Sequence, residues 1–100
     1  MYFITCFEKT AYNHLGWPDM GSTRTFGFFS NKEEAFEALH LNYCDMWEYL
    51  YNYAVVEEID YGIHPPVLSR QFFKYDNKRN GFFEIDEPKE FKHYTNIALG

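Results

Sequence analysis

Hydrophobic and polar positions first organise the chain at Tyr2 to Phe7, where Tyr2, Ile4 and Cys6 alternate with Phe3, Thr5 and Phe7. Both sets are largely apolar, which predicts a strand buried on two faces and central in a sheet. Residues Ala11 to Gly21 hold Gly16, Trp17-Pro18, Asp19 and Gly21 and read as a loop, with Trp17 either plugging the core or offered to a partner. Thr23 to Phe29 returns to strand character, with Gly27 marking a bulge or the close approach of another backbone. Ser30-Asn31-Lys32-Glu33 has the form of a capping box with Ser30 as cap. Behind it Ala35, Phe36, Leu39 and Tyr43 recur at helical spacing, which turns Glu33, Glu37 and His40 toward solvent.

Asp45-Met46-Trp47-Glu48 repeats the capping pattern with Asp as cap and predicts a second short helix or turn reaching Tyr51. Tyr53 to Ile59 is a strand with β-branched Val55 and Val56, and the paired prolines of Gly62-Ile63-His64-Pro65-Pro66 require a loop. Gln71 to Asp76 and Phe82 to Ile85 form the clearest pair, an aromatic hairpin closed by Asn77-Lys78-Arg79-Asn80-Gly81 with its Asn-Gly turn signal. Glu87-Pro88-Lys89-Glu90 places Pro at a first helical position, and Phe91, Tyr94, Thr95 and Ala98 continue a stripe toward the C-terminus. The predicted order is β-β-α-(short α)-β-β-β-α. It describes one α+β domain over residues 1–100, a mostly antiparallel β-sheet of about five strands with two helices.

Composition changes the picture at one point. Phe, Tyr and Trp make up 22% of the chain, whereas Ile, Leu and Val together hold only 14 of the 100 positions. A domain of this size buries roughly 60–65% of the surface of its unfolded chain, and each aromatic ring brings about 150–250 Å². One small core does not enclose them all, so several rings are expected at the surface as partner contacts. The plainer account of any single Tyr is a place at the core edge with its hydroxyl wet.

The net charge of −6 is unevenly spread. Between Asn31 and Asp60 stand Glu33, Glu34, Glu37, Asp45, Glu48, Glu57, Glu58 and Asp60 against Lys32 alone; from Tyr61 to Phe83 the sign reverses, with Arg70, Lys74, Lys78 and Arg79 against Asp76. An acidic middle repels phosphate backbones, which disfavours direct nucleic-acid binding and favours a basic protein as partner. Cys6 and Cys44 make no disulfide framework, and Met1-Tyr2-Phe3-Ile4 is too short and lacks the basic residues of an export signal. A cytoplasmic protein with reduced thiols is expected, monomeric or a small homo-oligomer. No apolar run approaches the roughly 18 residues of a membrane span, and no repeat or dividing linker is present.

Candidate chemistry is sparse. His40 and Cys44 lie four apart on a possible helix, with Cys6 a third ligand at best, and no fourth ligand completes a metal site. Their plain reading is a surface histidine and a buried thiol, so no metal and no cofactor is expected. Cys44 with His64 or His93 has the residue types of a nucleophile pair without any sequence sign of the geometry. Glu57 and Glu58 are adjacent in a strand, point to opposite faces and cannot act as a carboxylate pair. Arg24-Thr25-Phe26-Gly27-Phe28-Phe29 resembles the aromatic stacking signature of the RNA-recognition motif family, but Thr25 replaces its glycine and Ser30 begins the helix without the final aromatic. An aromatic core strand accounts for it more simply. Lys74, Lys78 and Arg79 at the hairpin end suit a phosphorylated ligand, against the ordinary reading of solvated turn charges.

Met1-Tyr2-Phe3-Ile4-Thr5-Cys6-Phe7-Glu8, Cys44-Asp45 with the aromatic run to Glu58, Gly62-Ile63-His64-Pro65, and Gly81-Phe82-Phe83-Glu84-Ile85 through Phe91-Lys92 together carry a resemblance over nearly the whole chain. It is to an uncharacterised family of small aromatic-rich proteins of gut anaerobic bacteria and of their phages and mobile elements. The resemblance implies a free-standing domain with a counter-defence or host-takeover role, and it assigns no residue a task.

The leading expectation is a non-enzymatic interaction protein, an inhibitor whose acidic aromatic surface blocks a basic, nucleic-acid-handling partner. Trp47, Tyr49 and Tyr51 would be its anchors, and Glu48, Glu57 and Glu58 its steering charges. The alternative is a small-ligand or nucleotide-binding protein that stacks on Trp17, Tyr75 and Phe82 and holds phosphate with Arg24, Arg70 and Arg79.

Overall fold

Among the described residues five strands form one sheet and one helix packs on it. The computed structural model describes residues 1–8, 23–42, 51–62, 67–88 and 97–98. Strands β1 (Tyr2–Phe7), β2 (Thr23–Phe29), β3 (Tyr53–Ile59), β4 (Val67–Asp76) and β5 (Gly81–Ile85) pair antiparallel throughout, in the order β2-β1-β3-β4-β5. Helix α1 (Lys32–His40) lies between β2 and β3 in sequence. The predicted short helix after Asp45 lies outside the described residues. So does the stretch 89–96 of the predicted C-terminal helix, and Ile97 and Ala98, at its far end, form a bend.

β1 and β3 are central, and their alternation feeds two cores. Ile4, Cys6, Ala54, Val56, Phe73 and Phe82 face the helix and pack with Ala35, Ala38 and Leu39 of α1. On the opposite face Phe7, Val55 and Phe72 pack with Ile97. Aromatic edge contacts lock both layers, Phe7 to Phe72 at 6.3 Å and Phe36 to Phe73 at 5.6 Å between ring centres.

Two local expectations shift by one residue. The helix cap is Asn31, not Ser30: Asn31 Oδ1 accepts the Glu34 N–H at 2.8 Å and its Nδ2 donates to Glu34 Oε1 at 3.0 Å. The amide does what the hydroxyl was expected to do, and both acids of the first turn, Glu33 and Glu34, then favour the positive end of the helix dipole. In β2 the extra residue is Phe26, since Ile4 pairs with Gly27 and Thr5 with Thr25. Gly27 stands beside this bulge, and a Cβ there would meet nothing within 4 Å, so no close backbone approach explains it.

The hairpin is as expected in place, but β4 begins earlier, at Val67 rather than Gln71, and Gly81 belongs to β5. Asp76 pairs with Gly81, leaving four residues in the loop, and the left-handed position is Asn80, at φ +53°. Asp76 organises the loop, with Oδ1 accepting the N–H groups of Lys78 at 2.9 Å and Arg79 at 3.3 Å.

Candidate functional site

Antiparallel register brings the start of β1, the end of β2, the end of β3 and the start of β4 to one end of the sheet. At that end Met1 is 48% exposed, Phe28 59%, Tyr61 98% and Leu68 60%. Among the described residues only one other large hydrophobic, Leu41, is comparably exposed. Scattered apolar residues need no explanation, but a cluster at one place does.

Each is held there by its neighbours. Met1 extends the ladder by one residue, its carbonyl accepting the Ile59 N–H at 2.8 Å and its ammonium donating to the Ile59 carbonyl at 3.2 Å. Phe28 lies opposite Phe3 across the β1–β2 pair, with ring centres 5.3 Å apart. Asp60 Oδ1 accepts the Tyr61 N–H at 2.8 Å, and Gly62, at φ +120°, takes a backbone conformation that side chains disfavour. The chain therefore turns just beyond β3 with Tyr61 outermost. Met1, Phe3, Ile59, Asp60, Tyr61 and Gly62 border one shallow depression.

Carboxylates rim this end. Asp60 is exposed, Glu58 is half-buried, and Glu33 and Glu34 occupy the adjoining first turn of α1. Burial, then Glu58 and Glu33, push the Tyr2 hydroxyl above its ordinary range.

The opposite end of the strands is basic. Arg24 is the second residue of β2, Lys74 stands two residues before the end of β4, and Lys78 and Arg79 sit in the β4–β5 turn. Each of three cations lies over a ring: Arg24 over Phe26 at 4.9 Å, Lys74 over Tyr53 at 5.9 Å and Arg79 over Phe83 at 3.6 Å.

Between the two ends lies a buried polar cluster on the face away from α1. Glu57, expected as a steering charge on the surface, is completely buried. The reason is its register: opposite Phe3 on one side and Arg70 on the other, it shares the face that Ile97 covers. Its carboxylate accepts the Ile97 N–H with both oxygens, at 2.9 and 2.8 Å, and the Ala98 N–H at 2.8 Å. Arg70 Nε stands 3.3 Å away, and the Arg70 guanidinium also reaches Glu87 at 3.7 Å. The Thr25 hydroxyl donates to the Ala98 carbonyl at 3.1 Å and lies 3.0 Å from that of Thr5. Burial pushes the Glu57 carboxyl up, and the two backbone N–H groups and Arg70 pull against it.

Of the other expected anchors, Trp47, Glu48 and Tyr49 lie outside the described residues. Tyr51 is half-buried, packs against the helix-side core and meets Phe26 edge-on at 6.2 Å. Glu58 accepts from the Ser69 hydroxyl at 3.2 Å. The described members of the alternative ligand set do not converge. Phe82 is fully buried, and the side chain of Arg70 is only 7% exposed beside Glu57. Arg24 and Arg79 sit at opposite edges of the sheet, four strand spacings of about 4.8 Å apart. Trp17 is outside the described residues, and Tyr75 packs edge-on against Phe82 at 5.6 Å.

Nor do Arg24 to Phe29 form a stacking platform of the RNA-recognition type, because Phe26 and Phe29 pack against the helix-side core and leave Phe28 alone outside. Cys6 is buried and its thiol is pushed up to about 12, so it stays protonated and unreactive. Among the described residues no group of three or more His, Cys, Asp and Glu side chains is placed to hold a metal ion. None of their helices is long and apolar enough to cross a membrane. Comparison of the chain with protein-family models, curated proteins and solved structures finds no match.

The sequence reading missed Met1, Phe28, Tyr61 and Leu68. One signal for them was present: Asp60-Tyr61-Gly62, just past a strand, is the pattern of a turn that carries an aromatic outward.

Proposed function

We propose that this chain is a non-enzymatic interaction protein that docks the apolar end of its sheet onto a basic site of a partner protein, of the kind that handles nucleic acid. The observation that carries this reading is the cluster of Met1, Phe28, Tyr61 and Leu68 at one sheet end. Exposed aromatics ringed by charge are the usual composition of binding hot spots. The charge of the partner follows from the rim, where Glu33, Glu34, Glu58 and Asp60 outnumber Lys32 among the described side chains. This reading adds residues distant in sequence to the central aromatic run, whose Trp47, Glu48 and Tyr49 lie outside the described residues.

The test compares captured proteins, not capture alone. Immobilised wild-type chain should retain one protein stoichiometrically from lysate. Phe28→Ser combined with Tyr61→Ser should lose it, while Lys78→Ser combined with Arg79→Ser keeps it. Retention by the first variant, folded as judged by circular dichroism, sinks the proposal.

A further inference from the structure

We propose that the tip of the β4–β5 hairpin is a second binding site, for the phosphate group of a small phosphorylated ligand, at the end of the strands opposite the apolar surface. Arg79 is held in place by two neighbours. Asp76 Oδ2 accepts from its Nε at 2.8 Å, and its guanidinium lies 3.6 Å over the Phe83 ring. The long side chain is thereby ordered before any ligand arrives, which removes most of the entropy cost of using it. Its side chain is nevertheless 59% exposed, and among the described residues no acceptor meets the Nη edge. That edge is the fork that takes two oxygens of one phosphate.

Register supplies a second cation. Lys74 is directly opposite Phe83 across the β4–β5 pair and rises from the same face; its ammonium rests over Tyr53 on the β3 side, and its flexible stem lets it swing toward a phosphate held by Arg79. Lys78 follows in the turn, and these three cations border one depression. Two carboxylates also border it, and both are engaged. Asp76 accepts from the turn with both oxygens, and Glu84, on the other face of β5, accepts from Gln71 at 3.0 Å. Arg79 and the turn amides hold Asp76 below the usual carboxylate range, so it stays ionised and keeps Arg79 in place at neutral pH.

A phosphomonoester suits this arrangement better than a polymer. A guanidinium fork and one ammonium match three oxygens of a single dianion, whereas a nucleic-acid backbone would have to run along an acidic body. Isotope-labelled protein titrated at constant ionic strength with inorganic phosphate, AMP and adenosine tests the idea. Phosphate and AMP should shift the amide resonances of Lys78, Arg79 and Asn80 saturably, and adenosine should not. Equal shifts with chloride, or shifts that never saturate, mean diffuse charge attraction and overturn the site. Arg79→Gln should weaken AMP binding by about tenfold, and Lys74→Gln should weaken it as well. Asp76→Ala separates order from charge: it removes a negative charge, so a site working by net charge would bind more tightly, whereas the ordered site loses affinity. Tighter binding by Asp76→Ala, or unchanged affinity in both Arg79→Gln and Lys74→Gln, overturns the proposal.

Discussion

Glu57 and Ile97 are joined across 40 positions of sequence by one backbone N–H shared between both oxygens of a buried carboxylate. Ala98 adds a second N–H and Arg70 a charge, so this side chain fastens the C-terminal bend to the middle of the sheet. Replacing it by Ala orphans two amide donors and takes from the Arg70 side chain, which is only 7% exposed, the carboxylate 3.3 Å away. Glu57→Ala should therefore cost about 3–5 kcal/mol in urea unfolding. Glu58→Ala, one residue on and facing the other way, should cost less than about 1 kcal/mol. Similar losses for both would mean that the buried cluster is not what distinguishes them.

The same residue sets a pH dependence. Burial raises the Glu57 carboxyl in the folded chain above its unfolded value, so folding takes up a proton between the two. Its contribution is complete below the unfolded value of about 4.3 and is lost as pH rises through the raised folded value. Glu57→Gln does not titrate. The stability of wild type relative to Glu57→Gln should thus fall as pH rises above about 4, read as the difference between urea midpoints. A difference that grows with pH would show that Arg70 and the amides of Ile97 and Ala98 outweigh burial.

Helix α1 offers a sharper check on its own start. Asn31 Oδ1 receives the Glu34 N–H at 2.8 Å, and Ser30 is not the cap. Asn31→Ala should destabilise by about 1 kcal/mol, while Ser30→Ala should stay within about 0.5 kcal/mol. The reverse result would restore the cap to Ser30.

These cases show what a linear reading can and cannot reach. Alternation located β1, β-branched Val55 and Val56 located β3, and the aromatic runs around the Asn-Gly turn located β4 and β5, although β4 begins at Val67 rather than Gln71. The cap was misplaced by one because Ser30 and Asn31 are both good caps with a Glu three residues on, and only backbone geometry chooses between them. Glu57 was misread for a deeper reason. An acid in a strand predicts an exposed face unless its partners are known, and those partners, Arg70 and the amides of Ile97 and Ala98, are distant in sequence. The apolar end was hidden likewise, since Met1, Phe28, Tyr61 and Leu68 come to the same end of the sheet only once the strands are in register.

Tyr61 and Asp60 divide the work of the proposed interface in a way that kinetics can separate. Asp60 is exposed on the rim, so it acts on an approaching basic partner over roughly a Debye length, about 8 Å at physiological salt. Tyr61 projects almost wholly into solvent at 98% exposure and has the most surface to lose when a partner closes over it. Asp60→Asn, which keeps the Oδ1 acceptor for the Tyr61 N–H and drops the charge, should slow association and flatten its salt dependence, with little change in dissociation. Tyr61→Ser should speed dissociation and leave the association rate within the narrow range usual for variants of one interface. Neither residue supports the core, so both variants should unfold within about 0.5 kcal/mol of wild type, which makes a kinetic change interpretable. If Tyr61→Ser leaves the lifetime of the complex untouched, the partner does not cover this end of the sheet and the contact lies elsewhere on the molecule.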